Sequence, residues 1–226
     1  MNNIQTNPWL ISMPRLALWL FISLNIIAML FYPGSTYLNH LTTEYSFTQN
    51  FLSDLGRTLT FSKNVNFLSS QLFNTSMIVA GVIFSLFYLN VHKVFNSDKG
   101  KTLALIGSIF GFFGGISLAG VGLTPSDLYL NIHILCANWL FRFMFMASLF
   151  YTAVIFRHPK FENKYASGYL IFTFSILLYI LISELGPDPK LNLFALKLQV
   201  VSQKMILLIF MASIYIQTLG LQKLYK

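Results

Sequence analysis

The sequence is short of charged residues and of cysteine. Asp, Glu, Lys and Arg together make up 10% of the 226 residues, whereas charged residues form about a quarter of an average soluble domain. This shortage argues against a water-soluble globule, a disordered chain and a soluble nucleic-acid-binding protein. Cys136 is the only cysteine, which excludes an internal disulfide and any dithiol chemistry.

The sequence contains long hydrophobic runs. Hydrophobic residues make up 55% of the chain, and 23 positions are phenylalanine. Runs of about 17–25 apolar residues are long enough to cross the hydrocarbon core as helices. The sequence therefore predicts an all-α integral membrane protein, a bundle of six transmembrane helices that forms one domain over residues 1–226. The six predicted spans are about 16–32, 71–91, 103–123, 132–156, 166–185 and 200–219.

The basic residues between the spans predict the orientation of the bundle. Cytoplasmic loops carry an excess of Lys and Arg. One side of the predicted bundle has only four such residues, which are Arg57, Lys63, Lys190 and Lys197. The other side has nine and is therefore predicted to be cytoplasmic, with both termini on it. These nine residues are Arg15, Lys93, Lys99, Lys101, Arg157, Lys160, Lys164, Lys223 and Lys226.

The first outer loop, Pro33–Ser70, is too long to be a simple connection. Loops of this length usually have a function or carry secondary structure of their own. An apolar stripe within it precedes Gly56, and glycine is typical of the position just after a helix. We predict a short interfacial helix over Gln49–Leu55, which places Asp54 near the mouth of the bundle.

Polar residues inside the fourth span indicate a site within the bundle. A charged group near the bilayer centre costs several kcal/mol, so it normally faces the bundle interior and has a partner. Arg142 lies near the middle of this span. It shares one helical face with Asn131 and Asn138, because successive residues are about 100° apart. We expect this face to line a hollow that opens at the outer surface.

The counter-ion of the buried cations has two candidates. Glu184 is the only acid inside a predicted span, and Asp54 lies near the mouth. We expect one of them to pair with Arg142 or with Lys204. Lys204 lies close to the outer end of its span, so the alternative for it is to reach the interface. The amide side chains have an alternative as well, because amides often act only as hydrogen-bonding links between membrane helices.

The third span carries a stripe of small residues at Gly107, Gly111 and Gly115. Small residues at every fourth position let helix backbones approach closely. Packing inside the bundle is the first interpretation of this stripe, and self-association with a second chain is the alternative.

Two residues are candidate catalytic bases, Asp54 and His133. A serine nucleophile at Ser53 with His133 as its base is conceivable from residue types, although no nucleophile-elbow motif surrounds it. A metal site could combine His40 and His133 with Asp54 or Asp127, but the spacing matches no metal-binding motif. We expect neither a metal nor a cofactor.

Several short motifs taken together resemble a prokaryotic membrane family of uncharacterised activity, domain of unknown function 998. The segment 50–56, Asn-Phe-Leu-Ser-Asp-Leu-Gly, resembles the signature before the second span of that family. Other matching positions are Phe73 and Asn74, then Gly120, Gly122, Pro125 and His133, and finally Gln203 and Lys204. The resemblance covers roughly residues 15–220 and implies a prokaryotic cytoplasmic membrane. More distantly, the chain is similar to the Frag1/DRAM/Sfk1 group, whose members are associated with lipid organisation.

Three functions are compatible with these features. The first is binding of a lipid head group or another anionic ligand in an outer-leaflet polar cavity, because Arg and Lys bind phosphate and carboxylate through charge-assisted hydrogen bonds. The second is a structural role in a membrane assembly, and the third is a membrane-embedded hydrolase or transferase. The expected ligand-binding residues are Asp54, Arg57, Asn74, His133, Asn138, Arg142, Glu184, Gln203 and Lys204.

Overall fold

Six long helices form the protein. The computed structural model describes residues 7–95 and 100–224, and no β-strand occurs among them. All six helices are long and apolar enough to cross a membrane, which confirms the predicted all-α fold. The helices are α1 (Ser12–Leu30), α2 (Phe67–Val91), α3 (Lys101–Leu123), α4 (Leu130–Arg157), α5 (Ala166–Leu185) and α6 (Leu193–Leu224).

The helix boundaries differ from the predicted spans mainly at α6. This helix begins at Leu193 instead of residue 200, because the side chain of Asn192 accepts a hydrogen bond from the backbone N–H of Ala195 at 2.9 Å and caps the first turn. Hydropathy marks the apolar stretch of a helix, whereas the helix itself continues into polar ends such as the turn around Lys197. The bounds of α5 agree with the predicted span.

The chain crosses the bundle in alternating directions, so the bundle has two distinct ends. Residues 31–66, 124–129 and 186–192 lie at one end, which we call the loop end. Residues 92–95 and 100 and the connection 158–165 lie at the other end with the start of α1 and the end of α6, and we call it the terminal end. Lys99 and Lys226, two of the nine basic residues predicted to be cytoplasmic, lie outside the described residues.

The first and last helices meet and close the bundle. Arg15 on α1 donates hydrogen bonds to the hydroxyl of Thr218 at 2.8 Å and to the side-chain oxygen of Gln222 at 3.0 Å. In the interior, the ring of Phe210 lies 5.3 Å from the ring of Phe84 and 5.3 Å from that of Phe172. The middle of the bundle is therefore filled by aromatic side chains from α2, α5 and α6.

The glycine stripe of α3 faces its neighbours within the bundle. A Cβ atom built on Gly115 would lie 2.3 Å from the hydroxyl oxygen of Ser85 on α2. A Cβ on Gly111 would lie 2.3 Å from the ring of Tyr88, and one on Gly107 would lie 3.0 Å from the ring of Tyr151 on α4. These glycines let α2 and α4 pack against α3, as the first interpretation predicts, so they are not available to a second chain.

Candidate functional site

The first long connection forms a packed cap over the loop end. We call residues 33–66 the cap. Its helix is one 3-10 segment at Leu52–Gly56, so the predicted interfacial helix over Gln49–Leu55 is displaced along the chain and shortened. The carboxylate of Asp54 accepts a hydrogen bond from the backbone N–H of Phe51 at 2.9 Å and holds this turn. Because Asp54 and Leu55 are buried, the turn packs into the mouth of the bundle.

Asn50 is the centre of the hydrogen bonds inside the cap. Its side-chain amide donates to the backbone oxygen of Ser35 at 2.9 Å and to the carboxylate of Asp54 at 3.1 Å. Its side-chain oxygen accepts from the backbone N–H of Ser46 at 3.0 Å. One fully buried side chain thus joins three parts of the cap that are separated in sequence.

Two neighbouring residues of α6 fasten the cap to the bundle. Lys204 donates a hydrogen bond from Nζ to the backbone oxygen of Asn50. Gln203 accepts a hydrogen bond from the backbone N–H of Leu52 at 3.0 Å through its side-chain oxygen. We call these two contacts the α6 latch. Lys204 is only 4% exposed, so its ammonium group is held inside the protein and does not reach the interface.

Aromatic rings complete the surroundings of Lys204. Its Nζ atom lies 5.4 Å from the ring centre of Tyr45 and 5.1 Å from that of Phe47. Such contacts stabilise a cation. Within residues 7–95 and 100–224, Lys204 forms no ion pair with a carboxylate. The expected acidic partner is therefore replaced by a backbone carbonyl and two rings.

Burial changes the acidity of Asp54. Loss of water contact raises the pKa of its carboxyl group from 3.8 to about 6, although the hydrogen bond from Asn50 and the charges of Arg57 and Lys204 act in the opposite direction. An isolated buried carboxylate is costly because desolvation disfavours the charged form. Asp54 therefore titrates close to neutral pH.

Further contacts fix the far side of the cap. The carboxylate of Asp127 accepts hydrogen bonds from the backbone N–H groups of Thr58 and Leu59, each at 2.9 Å, and from the hydroxyl of Thr58. Burial raises the pKa of Asp127, but these donors outweigh that effect and lower it below its usual value. The amide of Asn74 donates to the backbone oxygen of Gly56 at 3.1 Å. Both residues thus hold the cap in place.

Arg57 also belongs to the cap. Its Nε atom donates to the backbone oxygen of Leu59 at 3.1 Å, and its guanidinium lies 4.1 Å from the ring centre of Phe61. The side chain is thus engaged within the loop and is not among the residues that line the cavity beneath it.

A cavity lies directly beneath the turn of the cap. It is small, with a free volume of about 30 Å³, which is room for one or two water molecules. Its polar lining residues are Ser53, His133 and Gln203, and its other lining residues are Leu52, Phe73, Met77, Val121, Ala137, Leu140, Phe141 and Leu207. Among the described residues, no Lys, Arg, Asp or Glu lines this cavity.

The imidazole of His133 is fixed by the end of α3. Its Nδ1 atom lies 2.7 Å from the backbone oxygen of Thr124. Because a carbonyl oxygen can only accept a hydrogen bond, Nδ1 carries the proton. Asp127, six residues earlier in the chain, is engaged with Thr58 and Leu59 instead. His133 therefore has a structural role at the end of α3 in addition to its place in the cavity wall.

A second cavity lies next to the first, deeper in the bundle. Its free volume is about 20 Å³, and all of its lining side chains among the described residues are apolar. The two cavities share Leu140, Phe141 and Leu207 in their walls. The polar side chains under the cap thus lie next to an apolar cavity between α4, α5 and α6, and we call this row of two adjacent cavities the path.

Arg142 does not lie in this path, which corrects the prediction of an Asn–Arg stripe in the interior. Asn131 and Asn138 are exposed, and Arg142 forms an ion pair with Glu184 on the outside of the bundle. The side chains of this pair are 39% and 46% exposed. The helical period shows which residues share a face, but it does not show which way that face points.

The structure therefore divides the predicted site residues into three groups. Four of them hold the cap, namely Asp54, Arg57, Asn74 and Lys204. Two line the cavity, namely His133 and Gln203. The remaining three lie on the outside of the bundle, namely Asn138, Arg142 and Glu184. Sequence reasoning missed Asn50, although it is the first residue of the motif at 50–56. No three His, Cys, Asp or Glu side chains in the described part of the chain are close enough to hold a metal ion.

The comparisons with known proteins agree with the sequence motifs. The family model described as "Protein of unknown function (DUF998)" matches residues 26–218. No curated protein and no solved structure matches the chain. The distant similarity to the Frag1/DRAM/Sfk1 group is not confirmed. Since the family model covers most of the sequence, the protein belongs to the DUF998 family of membrane proteins.

Proposed function

We propose that the protein binds a membrane lipid in the path beneath the cap, with the polar part of the lipid near Ser53, His133 and Gln203. The observation that carries this proposal is that a cavity with polar lining residues and an apolar cavity are adjacent and share Leu140 and Phe141 in their walls. An amphiphile needs both environments, because apolar chains favour dry surroundings and polar groups require hydrogen bonds.

The lining of the cavity beneath the cap favours an uncharged polar group of the ligand. Gln203 uses only its side-chain oxygen in the α6 latch, which leaves its amide N–H groups as donors. The hydroxyl of Ser53, which also lines the cavity, is a further donor and acceptor. Hydroxyl and ester groups of a glycerol unit match such neutral donors and acceptors. The anionic ligand expected from Arg142 and Lys204 fits this cavity less well, because Arg142 lies on the outside of the bundle and Lys204 is bound to the cap.

The two alternative functions have less support. A role in assembly rests on the glycines of α3, and these are covered by α2 and α4. Hydrolysis with Ser53 as nucleophile requires a hydrogen bond to a base. His133 shares the cavity wall with Ser53, but no hydrogen bond joins the two side chains in the described residues.

A photoreactive lipid tests the proposed binding. The probe is a monoacylglycerol that carries a diazirine in its acyl chain, added to the purified full-length protein in nanodiscs. We expect labelled peptides to contain Leu140, Phe141 or Leu207. Ala137 lines the cavity, so Ala137→Phe fills it and reduces this labelling about tenfold, in line with the loss of a few buried methylene contacts.

Ala212 provides the matched control, because it is exposed on α6. Ala212→Phe adds the same side chain outside the bundle and leaves the labelling of Leu140 and Phe141 unchanged. Equal labelling in wild type and Ala137→Phe, with both proteins folded, contradicts the proposal.

We also infer that the terminal end faces the cytoplasm of a prokaryotic cell. Seven basic residues of the described chain support this orientation by the excess of Lys and Arg in cytoplasmic loops. A C-terminal fusion to alkaline phosphatase is expected to be inactive, whereas a fusion to green fluorescent protein is expected to fluoresce. The opposite pattern contradicts the inference. The seven residues are Arg15, Lys93, Lys101, Arg157, Lys160, Lys164 and Lys223.

A further inference from the structure

The outer face of α4 and α5 carries charges that the bundle itself does not use. Arg142 and Glu184 pair there, and Asn138 is exposed on the same side of α4. In a helix that crosses a membrane, an exposed residue faces lipid or the head-group layer. Charged groups are costly at the centre of the hydrocarbon, so the position of this pair along the helices decides what it contacts.

The ion pair lies at the depth where α5 ends. Glu184 is the residue before Leu185, the last residue of that helix. The guanidinium of Arg142 lies 5.8 Å from the ring centre of Trp139, and Trp139 is 45% exposed. Exposed tryptophan is typical of the boundary between hydrocarbon and head groups. The end of α5 and the exposed Trp139 support a position of the pair at the level of lipid head groups.

Both partners of the pair keep free hydrogen-bonding capacity. Arg142 uses one of its terminal nitrogens for Glu184, and a guanidinium has five N–H donors. Glu184 uses one carboxylate oxygen for this contact. In the described part of the chain, neither side chain forms any other hydrogen bond. The guanidinium and the carboxylate are thus adjacent, and each keeps hydrogen-bonding groups that a ligand can use.

We propose that Arg142 and Glu184 bind the head group of a phospholipid that has both a phosphate and a primary ammonium group, such as phosphatidylethanolamine. The guanidinium of Arg142 accommodates the phosphate through charge-assisted hydrogen bonds. The free oxygen of Glu184 accepts a hydrogen bond from the ammonium group. A purely anionic head group brings only its negative charge to Glu184, and a choline group has no N–H to donate. The occupant is lipid and not a protein partner, because adjacent opposite charges match a zwitterion.

Native mass spectrometry of the full-length protein tests this site. The protein is extracted from nanodiscs that contain equal amounts of phosphatidylethanolamine, phosphatidylcholine and phosphatidylglycerol with identical acyl chains. We expect phosphatidylethanolamine to be retained about tenfold more than phosphatidylglycerol, because the free energy of one hydrogen bond to a charged group corresponds to about that ratio. Glu184→Gln removes the negative charge, so the preference is expected to shift to phosphatidylglycerol. Arg142→Met is expected to abolish retention of both.

The controls separate lipid recognition from effects on folding. Glu162→Gln breaks the ion pairs with Lys164 and Lys223 at the terminal end and leaves the lipid preference unchanged. Should Arg142→Met fail to fold, the exchanged pair Arg142→Glu with Glu184→Arg keeps both charges and the preference for phosphatidylethanolamine. A folded Glu184→Gln protein with the preference of wild type overturns the proposal, as does a wild type that prefers phosphatidylglycerol. Ala137→Phe does not affect this site, so failure here is distinct from failure of the cavity.

Discussion

Gly115→Ala is expected to destabilise the protein by about 3 kcal/mol, the upper part of the range for overpacked cores. The added methyl group would lie 2.3 Å from the hydroxyl oxygen of Ser85 and 2.7 Å from the backbone oxygen of Gly81. Backbone atoms of α2 cannot move aside as a flexible side chain can, so α2 and α3 must separate. Unfolding in sodium dodecyl sulfate, followed by tryptophan fluorescence, measures the free-energy difference.

The adjacent glycine of α3 provides a matched control. A Cβ built on Gly114 would lie 2.7 Å from the terminal methyl carbon of Met144, and a methionine side chain adapts readily to its surroundings. Both glycines are buried in the middle of the same helix, so the effect of alanine on the helix backbone is equal. Gly114→Ala should therefore cost less than about 1 kcal/mol. Equal effects of the two substitutions contradict the importance of the α2–α3 contact.

The second large effect is a dependence of stability on pH that originates at Asp54. The pKa of this carboxyl is 3.8 without the fold and about 6 within it. Between these two values the folded protein holds a proton that the unfolded chain has lost. The stabilisation is fully present below pH 3.8 and is lost as the pH rises through about 6. The difference of roughly two pKa units corresponds to about 3 kcal/mol.

Asp54→Asn isolates this contribution. One oxygen of Asp54 accepts both the hydrogen bond from Asn50 and the one from Phe51, and the side-chain oxygen of asparagine can take that place. The free energy of unfolding of wild type, measured from pH 4 to pH 7.5, is expected to fall relative to that of the variant. Other titrating groups contribute equally to both proteins. Parallel pH profiles contradict a raised pKa at Asp54.

The six helices could be predicted because hydrophobicity alone determines which segments can cross a membrane. The bounds of α5 agree with its apolar stretch. The extra length of α6 could not be predicted, because its first turn depends on capping by Asn192. The spacing of the α3 glycines predicted close helix packing, but only the contacts of Gly115 with α2 show that the packing is inside the bundle.

The candidate site was only partly predictable. Asp54 and Lys204 were expected near each other, and both belong to the contacts of Asn50. The actual partner of Lys204 is a backbone carbonyl, which has no signature in a sequence. The predicted interior position of Arg142 was wrong for a different reason. The cost of burying a charge predicts that Arg142 has a partner, and Glu184 is that partner. An exposed ion pair at the end of α5 avoids the cost of burial as well as an interior pair does.

The α6 latch has a consequence for the order of events during synthesis. Lys204 and Asn50 are 154 residues apart, and Gln203 and Leu52 are 151 apart. Contacts between such distant parts of a chain form late, after the intervening segments have been placed. The first five helices can enter the membrane while the cap still lacks its anchor on α6. The cavity beneath the cap is thus completed only when the sixth helix has inserted. A nascent chain that ends before residue 193 has no α6 latch and therefore an incomplete cavity.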